Sequence, residues 1–266
     1  MEDTPIALIK NLTTHYDDVE ILSDINLHVN TNEILVIMGG SGSGKSTLLR
    51  HMLGLNQPTS GDVELFGQDL KSMRMQDLCN LRQKIGVSFQ GGALFNSMTV
   101  GENIILPLKE HTKLDDKTMQ IMMRIKLEVV NLAGFENLMP DQLSGGMIKR
   151  VALARAIIMD PALLFFDEPS AGLDPVVSAE LDELILTLKG AMNMSIVVVT
   201  HEIESAMKIA DRIAVLDKGK LVQIGTKEEI RNSDHPRVRM LINRIPENIQ
   251  PDSDEYMERL TRENNI

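Results

Sequence analysis

Gly39-Gly40-Ser41-Gly42-Ser43-Gly44-Lys45-Ser46-Thr47 constrains the fold of this chain more than any other stretch. Before it stands Ile34-Leu35-Val36-Ile37-Met38, apolar and rich in β-branching, which reads as a buried strand. After it comes Leu48-Leu49-Arg50-His51-Met52-Leu53, which reads as a helix. The spacing G-x-x-x-x-G-K-S between a strand and a helix is that of a loop built around polyphosphate. Glycines let the backbone approach an anion with no Cβ in the way. The N–H groups they expose collect at a helix N-terminus, where the peptide dipoles favour negative charge. Lys45 adds a mobile cation for the β- and γ-phosphates, and the Ser46 hydroxyl can ligate Mg²⁺. A ligand-free Gly/Ser turn would need neither the strand nor the helix. The chain is therefore expected to bind a nucleoside triphosphate.

Other stretches set the architecture. Ile25, Leu27 and Val29 alternate with Asn26 and His28, and Val63 and Leu65 follow the turn Pro58-Thr59-Ser60-Gly61; both read as half-buried strands of an antiparallel sheet near the nucleotide. Leu35–Met38, Leu163–Phe166 and Ile196–Val199 are apolar throughout, as parallel strands covered on both faces are. Leu181, Leu184, Ile185 and Leu188 mark one face of a helix. Ile213–Leu216 and Leu221–Ile224, joined around Lys218-Gly219, read as a hairpin. Residues from about 91 to 160 are Met-rich, lack strong strand runs and include the helix-forming Lys117–Val130. The expected fold class is α/β: a P-loop NTPase core of the RecA-like kind, with an antiparallel β-subdomain and an inserted α-helical subdomain. The expected division is one domain over residues 4–240 and a C-terminal extension over 241–266. In that extension Ser253 would cap a short helix bearing Tyr256, Met257 and Leu260, a candidate contact with a neighbouring subunit or else a disordered tail.

Composition narrows the partners. With 38 acidic against 27 basic residues, nucleic acid is not the expected partner. The single cysteine, Cys79, permits no internal disulfide and fits a reducing compartment. Met1-Glu2-Asp3-Thr4 lacks the basic-then-apolar layout of a signal peptide. No run reaches the roughly 18–20 apolar residues that cross a bilayer. Any work at a membrane would need a membrane part supplied by another polypeptide.

Three further motifs carry chemistry. Asp167-Glu168 closes the apolar run Leu163–Phe166, at the carboxyl end of a parallel strand where such sheets bind ligands. Asp167 can hold Mg²⁺, and Glu168 can orient the water that attacks the γ-phosphate. Thr200-His201 closes the next run, so His201 belongs at the same edge, either as a structural histidine or as a donor to the γ-phosphate. Leu143-Ser144-Gly145-Gly146-Met147 opens a helix: a second anion site, or a glycine-rich cap with no ligand.

In this order Gly39–Thr47, Gln90, Leu143–Met147, Leu163–Glu168, Ala171–Asp174 and His201 resemble the ATP-binding cassette ATPases over about residues 6–232. The resemblance implies two cassettes paired head to tail, with Ser144, Gly145 and Gly146 of one capping the ATP held by the phosphate loop of the other. It implies that Lys45, Ser46 and Thr47 hold phosphates and Mg²⁺, and that Gln90 ligates Mg²⁺ and reports nucleotide state. Asp167 would then serve the metal, Glu168 the attacking water and His201 the γ-phosphate, while Ala171–Asp174 would communicate across the pair. Tyr16 matches the aromatic that stacks on adenine. Met147 stands where the pattern usually has Gln, and Gly40 where it usually has Pro. The wording Phe89–Phe95, Met98–Val100, Asn103-Ile104, Leu106–Leu108 and Glu110–Thr112 is similar to the ATPase of Mla/Mce-type lipid transporters. That implies a peripheral subunit on the cytoplasmic face of the inner membrane, with a permease and an Mce-type lipid-binding subunit as partners. The alternatives are a small-solute importer ATPase and a soluble non-transport cassette.

Overall fold

The computed structural model describes residues 5–245. Two sheets carry it. β1 (Ala7–Tyr16), β2 (Val19–Val29), β4 (Ser60–Leu65) and the short β5 (Gln68–Asp69) form an antiparallel sheet in the order β2-β1-β4-β5. Ile9 faces Leu27 on one neighbour and Val63 on the other. Along β2 the pattern holds: Ile25, Leu27 and Val29 are buried while Asn26 and His28 are exposed.

β3 (Ile34–Gly39), β6 (Ile85–Ser88), β7 (Leu163–Asp167), β8 (Ser195–Thr200), β9 (Arg212–Asp217) and β10 (Lys220–Thr226) form the second sheet, ordered β10-β9-β3-β8-β7-β6. Its strands run parallel except β10, the hairpin partner of β9. The continuous apolar runs are explained by the pleat. Ile34, Val36, Met38, Leu164, Phe166, Ile196 and Val198 enter one core; Leu35, Ile37, Leu163, Phe165, Val197 and Val199 enter the other. Each core contact of this kind stabilises by about 1.5–3 kcal/mol per large side chain.

The second of these cores is closed by the antiparallel sheet and α1 (Lys45–Met52), with Leu81 of α2 (Met75–Arg82) at its edge. The first is closed by α3 (Val100–His111), α4 (Asp116–Val129), α5 (Gly145–Ala156), α6 (Pro175–Met192) and α7 (Ile203–Ile209). α8 (Lys227–Arg231) adds Ile230 to it, and α9 (Pro236–Ile242) adds Val238, with Leu241 and Ile242 packed half-buried against it. Between β6 and β7 the chain is helical, without a strand among the described residues. A capping box of Thr99 and Glu102 starts α3, and the Asp115 side chain accepting from the Thr118 N–H starts α4. Ser253, Tyr256, Met257 and Leu260 lie outside the described residues.

Because β3, β6, β7 and β8 are parallel, the loops that follow them leave one edge of the sheet together. That edge receives Gly40–Gly44 after β3, Phe89-Gln90 after β6, Glu168 after β7 and His201 after β8.

Candidate active site

The last residue of β3, Gly39, must be glycine: a Cβ there would lie 2.3 Å from the Leu216 carbonyl oxygen of neighbouring β9. Gly44 caps α1 in the left-handed region at φ 101, where a Cβ would come within 2.6 Å of Leu22 Cδ2. Between them Gly40, Ser41 and Gly42 are exposed, and a Cβ at Gly40 or Gly42 would meet nothing within 4 Å. The first turn of α1 contains no acidic residue, so its dipole faces the open loop unopposed.

Lys45 is buried and donates from Nζ to the Gly39 carbonyl at 2.8 Å and the Gly40 carbonyl at 3.0 Å. Burial lowers its pKa, against the pull of the Glu168 and Asp167 carboxylates. The Ser43 hydroxyl is buried without a hydrogen-bond partner. An orphaned hydroxyl and a cation satisfied only by its own loop's carbonyls fit a concavity made for an anion. Ser46 is exposed on the first turn of α1, and Thr47 follows it half-buried.

Across from this loop, Asp167 ends β7 half-buried. Burial pushes its carboxyl pKa up, the Glu168 charge pushes the same way, and Arg50, Lys45 and Lys149 pull it down. Ser46, Gln90 and Asp167 offer a hydroxyl, an amide and a carboxylate, hard oxygen donors of the kind Mg²⁺ takes. Among the described residues no three His, Cys, Asp or Glu cluster to hold a metal, so a cation here would complete its shell with phosphate oxygens and water.

Glu168 has the left-handed backbone, φ 48, rare for a side chain of this size. Its N–H donates to the Val199 carbonyl at 2.8 Å. Its Oε2 accepts from His201 Nδ1 at 2.8 Å and from the Thr200 hydroxyl at 3.3 Å. A carboxylate can only accept, so the His201 proton facing it sits on Nδ1, and a neutral ring presents Nε2 as an acceptor.

Tyr16 is exposed where β1 ends. Its hydroxyl accepts from Asn56 Nδ2 at 3.0 Å. The Asn56 carbonyl receives His51 Nδ1 at 3.1 Å, and His51 Nε2 is 2.8 Å from the Thr14 hydroxyl. Since the carbonyl must accept, His51 carries its proton on Nδ1 and Thr14 donates to Nε2. Through this chain α1, the helix of the phosphate loop, holds the tyrosine.

Ser144, Gly145 and Gly146 go elsewhere. Ser144 caps α5, its hydroxyl accepting from the Met147 N–H at 3.3 Å. The three residues line a cavity of about 340 Å³ together with Gly172, Leu173 and Asp174, and no residue of the phosphate loop borders it. Asp174 in turn caps α6, accepting from the Val176 and Val177 N–H groups. One chain thus gathers Gly39–Thr47, Asp167, Glu168 and His201 at one sheet edge, with Gln90 beside them, and presents Ser144–Gly146 on a separate face.

The family model described as ABC transporter matches residues 22–171. This chain belongs to the ABC transporter family. Its place there is that of the ATPase cassette, which agrees with a phosphate loop, an acidic strand end and a histidine sharing one edge. Among curated relatives, it is 40% identical over 230 residues to the intermembrane phospholipid transport system ATP-binding protein MlaF of Haemophilus influenzae, covering 86% of this chain and 87% of the relative. To MlaF of Escherichia coli K12 it is 39% identical, covering 87% and 86%. To the probable ribonucleotide transport ATP-binding protein mkl of Mycobacterium leprae it is 37% identical, covering 88% and 68%. Among solved structures, the cassette MJ0796, in a dimeric post-hydrolysis state with ADP and Pi, aligns with TM-score 0.77 at 31% identity over 83% of this chain and 98% of that one. CbiO1 of Clostridium perfringens aligns with TM-score 0.80 at 26% identity, covering 96% and 99%.

Reading the sequence missed two cations of this cassette. Lys149 is buried on α5, and its ammonium donates to the Gln90 carbonyl and, at 3.3 Å, to the Glu168 carbonyl. Arg155 donates to the Gly92 and Ala93 carbonyls at 2.8 Å each. The available signal was a lysine on the buried face of α5, one and two turns from Ala152, Leu153 and Ala156.

Proposed function

We propose that this chain is the ATP-hydrolysing subunit of a membrane transporter that moves phospholipids or related apolar molecules between bacterial membranes. The observation that carries the mechanism is the split: the cis groups meet at one sheet edge, while Ser144–Gly146 line a separate cavity with Gly172–Asp174 that no phosphate-loop residue borders. A helix start lacking acidic residues, in a cavity its own phosphate loop does not border, suits the nucleotide of a second copy. Two copies placed head to tail would each complete the other's site.

In that pair Lys45 and the loop N–H groups bind the phosphates, and Tyr16 stacks on the adenine. Ser46, Gln90 and Asp167 would hold Mg²⁺, which would supply positive charge against the phosphate oxygens. Glu168 orients the attacking water and takes its proton, and His201 tracks the γ-phosphate. For Nε2 to donate there while Nδ1 donates to Glu168, the ring must be imidazolium, or Glu168 must release it. Release frees Glu168 Oε2 for water, so arrival of a γ-phosphate at His201 and activation of Glu168 become one event.

The lipid reading draws support from the MlaF relatives at about 40% identity. No helix of the described residues is long and apolar enough to cross a membrane, so transport would need a permease. A cavity of about 500 Å³ beside Gln90 is lined by Phe89, Phe95, Leu106 and Pro107, with Phe89 and Phe95 substantially exposed, and suits such a partner. The proposed location is the cytoplasmic face of the inner membrane, with an Mce-type lipid-binding subunit completing the assembly.

The test is to purify the N-terminally tagged chain from its own membranes in mild detergent and identify what accompanies it by mass spectrometry. A permease, a lipid-binding subunit and co-purifying phospholipid are expected. A permease with a solute-binding protein would support the small-solute reading instead, the one the mkl relatives' name suggests. Recovery with no membrane partner would point to a soluble cassette protein.

A further inference from the structure

We infer that Lys149 is a positioning residue that couples the two nucleotide sites of the paired cassette. The inference rests on the head-to-tail pairing proposed above. α5 begins with Ser144–Gly146, which in the pair belong to the far nucleotide. Five residues on from Ser144, Lys149, a residue only 8% exposed, sends its ammonium into the near site. There it donates to the carbonyls of Gln90 and Glu168, two residues that follow different strands of the sheet. Asp167, Glu168 and Glu202 surround it with negative charge.

Two further contacts make α5 and the Gln90 segment one body. Arg155 grips the Gly92 and Ala93 carbonyls. Gly92 lies so close to α5 that a Cβ there would come within 2.7 Å of Ile148 Cγ2. On the other side, Glu168 sits at φ 48, a backbone state that persists when its surroundings hold it. Its carbonyl is held by Lys149 and by the Ala171 N–H at 3.3 Å. A tilt of α5 on engaging the far nucleotide therefore carries Lys149 with it. It resets Gln90 and the peptide that aims the Glu168 carboxylate in the near site. Coupling of this kind appears as cooperativity in ATP.

The experiment compares wild type, Lys149→Met and Lys149→Arg in the full chain. It uses steady-state hydrolysis against ATP concentration, fluorescent-ATP binding, light scattering with ATP, thermal melting, and hydrogen–deuterium exchange. In Lys149→Met, kcat is expected to fall about tenfold or more with nucleotide affinity within about twofold. The Hill coefficient falls to about 1, and exchange at residues 90–93 and 168–171 rises. Lys149→Arg, which keeps a cationic donor, recovers cooperativity and protection. Wild-type cooperativity retained in Lys149→Met, while ATP still pairs the protein, overturns this inference and leaves the pairing intact. Equal losses of ATP affinity and melting temperature in both variants assign Lys149 to packing and overturn it too. A wild-type chain that never pairs with ATP fails the proposed function itself, and the inference falls with it.

Discussion

Replacing Glu168 by Gln separates chemistry from structure, because the site supplies both magnitudes. In the fold, Glu168 Oε2 accepts from His201 Nδ1 at 2.8 Å, the Thr200 hydroxyl at 3.3 Å and the His201 N–H at 3.4 Å. A glutamine oxygen can occupy the same place and accept the same donors. What is lost is the difference between charge-assisted and neutral hydrogen bonding, about 1–2 kcal/mol. Part of that is returned, since the Glu168 charge is one of the causes holding the Asp167 pKa up. The net stability change is expected near 1 kcal/mol, a melting shift of about 2–4 °C for a chain of this size. The chemistry is hit harder. An amide takes no proton from water, and a positioned general base contributes about 10²–10⁴ in rate. That factor corresponds to about 3–5 kcal/mol on the barrier. Phosphate release at saturating Mg²⁺ and ATP should fall by that factor, with light scattering showing an ATP-loaded pair that persists. Turnover within about threefold of wild type would refute the assignment of Glu168. A melting loss far above the estimate would show that the carboxylate holds the fold rather than the water.

Three other perturbations test neighbouring parts of the site. Gly44→Ala forces a side chain into φ 101 against Leu22 and should destabilise by about 1–3 kcal/mol, whereas Gly40→Ala meets nothing within 4 Å and should stabilise by about 0.4–1 kcal/mol through the unfolded chain; paired denaturant melts decide. Ser144→Arg should abolish turnover while fluorescent-ATP affinity of the single chain stays within about twofold, because the Ser144 cavity borders no phosphate-loop residue; an equal fall in affinity would place Ser144 in the same-chain site. Burial lowers the His51 pKa below its ordinary 6.5, so the folded ring stays neutral while the unfolded one takes a proton on acidification; its contribution is present above about pH 6.5 and is lost as pH falls, at no more than about 1.4 kcal/mol per pH unit. Melting of His51→Gln should therefore depend less on pH between 7 and 5.5 than wild type, and identical slopes would refute the assignment.

What could be read from the sequence was what backbone geometry demands of single residues. Gly39 and Gly44 admit no side chain, and an apolar run must have two covered faces, so the loop and the strands β3, β7 and β8 were visible as patterns. β6 was not, because an edge strand of four residues with Ile85 and Val87 only half-buried carries too little pattern. Lys149 was hidden for a different reason. Its helical spacing to Ala152, Leu153 and Ala156 marked the buried face, but what a lysine does there is set by its carbonyl partners, and Gln90 and Glu168 lie 59 and 19 residues away. The placing of Ser144–Gly146 away from the phosphate loop likewise depends on how α5 and α6 pack, which no local pattern encodes.

The split also explains why such a pair would need both nucleotides. By helix geometry the first amides of α5 have no partner within the helix, and no acidic side chain opposes them. In the proposed pair, Ser144 with the Gly145 and Gly146 amides would give three contacts per site to the far phosphate, about 1 kcal/mol each at a helix start. Two sites together supply about 6 kcal/mol. Turning a pair from mostly open to mostly closed takes about 5.5 kcal/mol of differential affinity. One site alone supplies about 3 kcal/mol and leaves open and closed forms comparably populated. Closure would therefore wait for both sites to fill, and a link from each α5, seated on the far nucleotide, to the catalytic carboxylate of its own chain, of the kind proposed for Lys149, would let hydrolysis wait for closure.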